Sequence, residues 1–335
     1  MALTQIADLI QQDAYRADVL AESLRKSALY TNGAMTGNTA IAAQIGMEGS
    51  NLVNVDYFLD LGDTESVSVN DNPASVIDPH KIGTARQTGV IQYRAEAWST
   101  ADLTKQLSTT GDPMNAIVSR VGAYWGRSYD RRVLKVADGI LADNVANDAG
   151  DMIASVYSDV AAPPAGTQMS IDAIIQAKET IGDYGEDMGV MVCHSRQYYA
   201  LEREGYVDQV FDDQGNLLYS QAAGMRIVVS DSCRVTAGTN SNAYLAYCFA
   251  PGAFVFEQGA PKVPDEVQRE ALQGMGGGVE TLVSRRTCVI HPKGFTWTGP
   301  ADPLVGPTND DLALATSWDR VDERKRVKFA FIETN

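Results

Sequence analysis

Three histidines (His80, His194, His291) and four cysteines (Cys193, Cys233, Cys248, Cys288) are the side chains best suited to nucleophilic or metal chemistry. Cys193 and His194 are adjacent, whereas a nucleophile and its base are usually brought together by the fold from separate places. A strand end running into a helix cap accounts for the pair. The cysteines form no CxxC pair, so a zinc site lacks support. Cys193, Cys248 and Cys288 sit in apolar, strand-like runs, where a reduced thiol behaves as a small core residue. The acids Asp183, Glu186 and Asp187, and the pair Asp212-Asp213, could offer oxygens to Ca²⁺, but neither group has the DxDxDG register of a calcium loop. With Asp310-Asp311 they read as solvated turns. GMGGGVE (274–280) lacks the Lys-Ser/Thr of a P-loop and the spacing of a dinucleotide fingerprint. It follows the charged stretch VPDEVQREAL and precedes a strand, so it reads as a connector. ERKRVK (323–328) is the basic cluster, balanced by Asp319, Asp322 and Glu323, and reads as an interface or a solvated strand edge, with DNA contact as the alternative. The sequence thus predicts no catalytic residue, no cofactor-binding residue, no metal ligand and no cofactor. The expectation is a protein that is not an enzyme.

Composition sets the frame for these residues. The chain has 335 residues, 44% hydrophobic and 21% charged, which is ample for a folded core. Its 27 Lys and Arg against 43 Asp and Glu give 27 − 43 = −16, a balance that opposes charge-driven binding to nucleic acid or to a membrane surface. No apolar run is long enough to span a bilayer, and the acidic N-terminus does not resemble a signal peptide.

Residues 3–29 carry apolar side chains at helical spacing (Leu3, Ile6, Leu9, Ile10, Ala17, Leu20, Leu24). Tyr30 to Glu48 has no period and reads as an extended segment that needs a partner surface. Val53, Val55, Tyr57 and Leu59 alternate with polar residues, as do Val90 to Ala97 across NDNPASVIDPHKIG, which predicts a long β-hairpin arm. Such a hairpin is marginal alone and must lie against something else. Asp112-Pro113 opens the longest helix, with apolar residues from Met114 through Val121, Trp125, Tyr129, Val133 and Val136 to Leu141, about 50 Å in all. Gly122 and Gly126 within it suit close packing against a neighbour. Beyond the linker at 161–166 the texture turns α/β. Ser170 caps a helix, 189–193 is a buried strand, 194–204 a helix, and 225–230 and 243–250 are strands. Strands at 278–291, 295–298 and 326–332 complete the chain.

The phrases VDYFLDLGDTESVSVNDNP, TTGDPMNAIVSRVGAYWGRSYDRRVL, MVCHSRQYYAL and TLVSRRTCVIHPKGFTW occur in that layout. Together they resemble the major capsid proteins of tailed double-stranded-DNA bacteriophages, of the Hong Kong 97 type. The resemblance implies an α+β fold. It comprises an N-terminal arm (1–53), an extended β-hairpin loop (54–98), a peripheral domain with a spine helix (99–164, helix 112–147), an α/β axial domain (165–275) and returning strands of the peripheral domain (276–335). It further implies a structural protein that self-assembles as hexamers and pentamers into an icosahedral virion shell, formed in the host bacterial cytoplasm. Partners would be itself, a separate scaffolding protein, the portal and a decoration protein, around DNA held without sequence-specific binding. The subunit is expected to keep its N-terminus. Crosslinking through Lys81 is not expected. An encapsulin-type protein nanocompartment and a soluble α/β enzyme are the alternative readings, and the enzyme would need the histidines or acid clusters to converge in a pocket.

Overall fold

The structure, a computed structural model, describes residues 27–45, 51–59, 61, 65–69, 71, 76–77, 79–107, 113–215, 217–300 and 306–335. The amphipathic stretch expected at 3–29 lies almost entirely outside them. Ser27 caps α1 (Ala28–Thr31), followed by β1 (Met35–Thr36) and α2 (Thr39–Gln44). The segment expected to need a foreign surface finds one on its own chain. Leu29, Met35 and Ile41 are buried, β1 runs parallel to Phe254 and Val255, and Asp130 accepts hydrogen bonds from Ser27 Oγ and from the Ala28 amide.

β2 (Leu52–Phe58) and β3 (Thr84–Ala101) pair antiparallel, from Leu52 opposite Val90 to Phe58 opposite Thr84. α3 (Asp102–Leu107) leads to α4 (Pro113–Asn147), whose 35 residues extend about 53 Å. Next come β4 (Ile153–Ser155), α5 (Ile171–Glu179), β5 (Val190–Cys193) and α6 (Ser195–Arg203). The hairpin β6 (Asp208–Phe211) and β7 (Leu217–Ala222) precedes β8 (Met225–Val229), β9 (Val235–Ala237) and β10 (Asn242–Phe249). β11 (Phe254–Gly259), β12 (Asp265–Glu270), β13 (Val279–Pro292), β14 (Phe295–Trp297), α7 (Asn309–Leu312), β15 (Trp318–Arg320) and β16 (Phe329–Thr334) complete the fold.

The strands form two principal sheets. The first has the order β1-β11-β13-β3-β2, with β12 also on β13; the second has the order β4-β16-β10-β5-β8-β7-β6, with β9 on β10. The central strands of the second sheet, β5, β10 and β16, are buried on both faces, which is why they are nearly continuous apolar runs. Side chains alternate between two cores. Val190, Val192, Tyr247, Phe249, Phe329 and Phe331 point to the inward stripe of α4. Met191, Cys193, Ala246, Cys248, Ala330 and Ile332 meet α5 and α6 at Ala173, Ile174, Ala177 and Leu201. Each such large side chain withdrawn from water contributes roughly 1.5–3 kcal/mol.

Strand partnership corrects four expectations. The last strand was expected to return to the sheet of 279–299; instead Arg324–Arg326 is a 3₁₀ turn, and β16 lies between β4 and β10 in the second sheet. β4, expected with the spine helix, also joins that sheet. Conversely β11 and β12, inside the span expected to be axial, belong to the first sheet. The charged stretch VPDEVQREAL is strand β12, because Asp265 forms a buried ion pair with Arg286 of β13 (3.1 Å), and Ser284 Oγ, which donates to Asp265 (2.6 Å), accepts from Trp125 Nε1 of α4 (3.0 Å). Finally, the return strand of the arm is half core: from Ile91 to Ala101, β3 pairs with β13. A close approach on α4 occurs at Gly139, where a methyl group would overlap the Leu312 carbonyl and sit 2.7 Å from Trp318 Cδ1.

Candidate functional site

The residues singled out for chemistry do not converge. His80 is exposed in the arm loop, His194 caps α6, and His291 is buried in β13. Around His194 the elements of a nucleophile and base do meet: Ser195 Oγ is 3.4 Å from Nδ1, and Asp231 Oδ1 is 3.6 Å from Nε2. The sequence reading missed Asp231, which a distant turn delivers. Nδ1, however, accepts the Arg196 amide (3.1 Å), and Gln197 Oε1 accepts the His194 amide, a reciprocal capping box. The lone pair a base would use is committed to the helix end. All four cysteines are free and buried, and burial pushes the thiols up, Cys193 and Cys248 to about 12 and Cys288 to about 11. Such thiols are inert core groups. Among the described residues no three His, Cys, Asp or Glu side chains gather as a metal site. Asp183 and Glu186 are exposed and pair with Lys325 and Lys178; Asp212 accepts its own turn amide from Gln214; Asp311 caps α7 with Thr308. GMGGGVE forms the tight connection from β12 to β13, with Gly274, Gly276 and Gly278 in the left-handed region. No helix among the described residues is long and apolar enough to cross a membrane.

On the surface of the described residues, the β2–β3 arm stands out. Its base is fixed. Gln44 closes both hydrogen bonds on the Asn54 backbone, and Tyr57 donates to Asp322 (2.7 Å). Gln87 Oε1 lies 3.2 Å from His291 Nε2 and accepts the Gly294 amide. Burial lowers the His291 pKa to about 4, so the ring is neutral, and Gly89 packs directly over it. Beyond this base the chemistry inverts. Phe58, Leu61, Val67, Val69, Val76, Ile77 and Ile82 are exposed, Val69 at 95% and Val76 at 86%. Apolar side chains presented in such numbers by one loop mark a contact surface.

The basic run lies under the arm. Arg324 is drawn inward, donating to Thr180 Oγ1 (2.6 Å) and the Val327 carbonyl, and burial depresses it to about 10. Lys325, Arg326 and Lys328 instead edge a groove of about 460 Å³ between Tyr57 and Phe58 of the arm and Ile181, Met188, Ala250 and Val327 in the connections beside the second sheet. The expectation of an interface or solvated edge at 323–328 thus splits residue by residue.

Comparison with known proteins identifies what such an architecture serves. The model of the family described as major capsid protein 13-like matches residues 8–328. The major capsid protein of Bacillus phage SPP1 is 30% identical over 332 residues, covering 98% of this chain and 97% of its own. Among solved structures, the capsid of Ralstonia phage GP4 superposes with a TM-score of 0.55 at 12% identity, covering 92% of this chain and 88% of that one. The capsid protein of cyanophage Pam1 gives 0.54 at 12% identity, covering 93% of each chain. These findings favour neither the enzyme nor the encapsulin reading. A family match along nearly the whole chain, a relative of equal length and the shared fold place the chain in the Gp13-like family of tailed-phage major capsid proteins, with a Hong Kong 97-like α+β fold.

Proposed function

We propose that the chain assembles as hexamers and pentamers of a closed icosahedral shell around double-stranded DNA, with the arm of each subunit clamped on its neighbour. The exposed apolar run from Phe58 to Ile82 carries this reading, since an isolated subunit leaves it in water. In this reading the hairpin beyond Leu52 and Val90 is the extended loop. The first sheet with α4 is the peripheral domain, and the second sheet with α5 and α6 is the axial domain. A separate scaffolding protein, a portal and a decoration protein are the expected partners, and assembly takes place in the host cytoplasm. DNA is confined by closure of the shell, not by sequence recognition, in keeping with the acidic balance.

The arm itself supplies the test. Leu59 and Gly83 are already joined by a hydrogen bond (2.9 Å), so residues 60–82 can be replaced by Asn-Gly as a two-residue hairpin turn. The shortened protein, co-expressed with the genes adjoining its own, is expected to fold with an unchanged thermal midpoint but to form no closed shells by electron microscopy, where the full chain forms them. Normal particles from the shortened protein would remove the clamp.

A further inference from the structure

The longest helix segregates its charges in a way that its amphipathic pattern does not require. α4 holds Arg120, Arg127, Arg131, Arg132 and Lys135 against Asp130, Asp138 and Asp143. All three carboxylates are consumed within the chain. Asp130 accepts from Ser27 and Ala28, Asp138 from Tyr247 and Lys135, and Asp143 from Asn147. Arg132 is buried, bonded to Gln92, Asn309 and the Pro307 carbonyl. Arg120, Arg127 and Arg131 remain exposed. At i, i+7 and i+11, with 3.6 residues per turn, they share a strip about 40° wide and about 16 Å long. From Val136 to Leu141 the helix is covered, and there Gly139 meets Leu312 and Trp318. Among the described residues none of the three arginines makes an ion pair; Arg86, Arg269, Arg285 and Lys325 elsewhere on the surface each have a carboxylate, and Arg203, Arg234 and Lys262, which lack one, stand singly on separate segments. The nearest acid on the flanking strand, Glu96, is taken by the Tyr124 hydroxyl (2.9 Å).

A chain of net charge −16 that keeps three unpaired arginines in one strip on its longest helix suits an extended polyanion. We infer that this face of α4 meets the phosphate backbone of packaged duplex DNA and is the inward face of the shell, an inference that rests on the capsid reading above. Duplex DNA presents about one charge per 1.7 Å of axis, so a strip of this length always has phosphates in reach, whatever the sequence. The remaining acidic surface keeps binding weak.

The test compares R120Q/R127Q/R131Q with R203Q/R234Q/K262Q. Both triples change the net charge by the same amount, from −16 to −16 − 3 = −19, and the second removes exposed cations elsewhere. Binding of unassembled subunits to a labelled 30-base-pair duplex is followed by fluorescence anisotropy across a salt series. Each lost phosphate contact reduces the slope of log K against log[salt] by about 0.9, so the α4 variant should lose about 2.7 in slope while the control keeps that of the parent protein. Equal slopes in both variants would overturn the inference. So would a parent subunit that forms shells yet fails to hold the duplex at low salt, or one that prefers polyglutamate, which would mark an acidic polypeptide as the occupant. Loss of slope in the α4 variant alongside a parent protein that never forms shells would spare the strip and remove the capsid reading instead.

Discussion

At the scale of the residue, two buried positions show how little freedom the subunit interior has. Gly139 lies where α4 touches α7 and β15, and a methyl group there has no room. Overpacking of this kind costs about 1–3 kcal/mol. Gly139→Ala should lower the thermal midpoint of the unassembled subunit by several degrees in calorimetry; an unchanged midpoint would mean that α7 yields freely. His291 is set by burial, which favours the neutral ring and holds its pKa at about 4. The unfolded chain binds this proton near pH 6.5 and the folded chain does not. The contribution of the neutral ring is therefore full above pH 6.5 and lost as pH falls from there towards 4, by up to about 3 kcal/mol. Urea midpoints at pH 7.5 and pH 4.5 should differ more for the natural protein than for His291→Gln. Equal differences would assign the acid sensitivity to carboxylates alone.

Among the elements, β12 shows a strand held by a polar anchor instead of an apolar run. Its side chains are mostly exposed apart from Asp265, whose partner Arg286 is 4% exposed. Breaking a buried pair by removing one member costs about 3–5 kcal/mol, because the other charge stays buried. Asp265→Ala should accordingly release β12 from β13, seen as rapid hydrogen exchange at Val267 to Glu270, with the second sheet still protected. Protection unchanged at β12 would show that the backbone ladder suffices. The arm presents the opposite case. Its base is cross-braced by Tyr57, Gln87 and Asp322, and its outer apolar residues touch little of their own chain.

For the whole molecule, net charge governs how copies meet. Subunits of −16 each repel, and screening confines that repulsion to about 8 Å at physiological ionic strength. Assembly followed by light scattering should therefore quicken as salt rises from about 20 to 200 mM. A rate that does not change with salt would show that local interface charges outweigh the net charge.

What the residues themselves determined is mostly what depends on short range. The run from Pro113 to Asn147, the caps Ser170 and His194, the buried strands at Val190 and Asn242, and the alternation of the arm at Val53 and Val55 all follow from periods and caps within a few residues. The absence of a triad signal also follows from residue types, and the layout of these segments carried the capsid resemblance. Partnership between segments was decided only by the tertiary structure. The last strand joins the second sheet because Phe329 and Phe331 complete an aromatic face with Phe249 and Tyr247, an arrangement that no local period encodes. β12 depends on a pairing with Arg286 across a hairpin, the close approach at Gly139 on segments far along the chain, and the cationic strip of α4 on which of its charges the fold buries. Local backbone preferences are written residue by residue, whereas burial belongs to a position in space, and only the assembled fold assigns it.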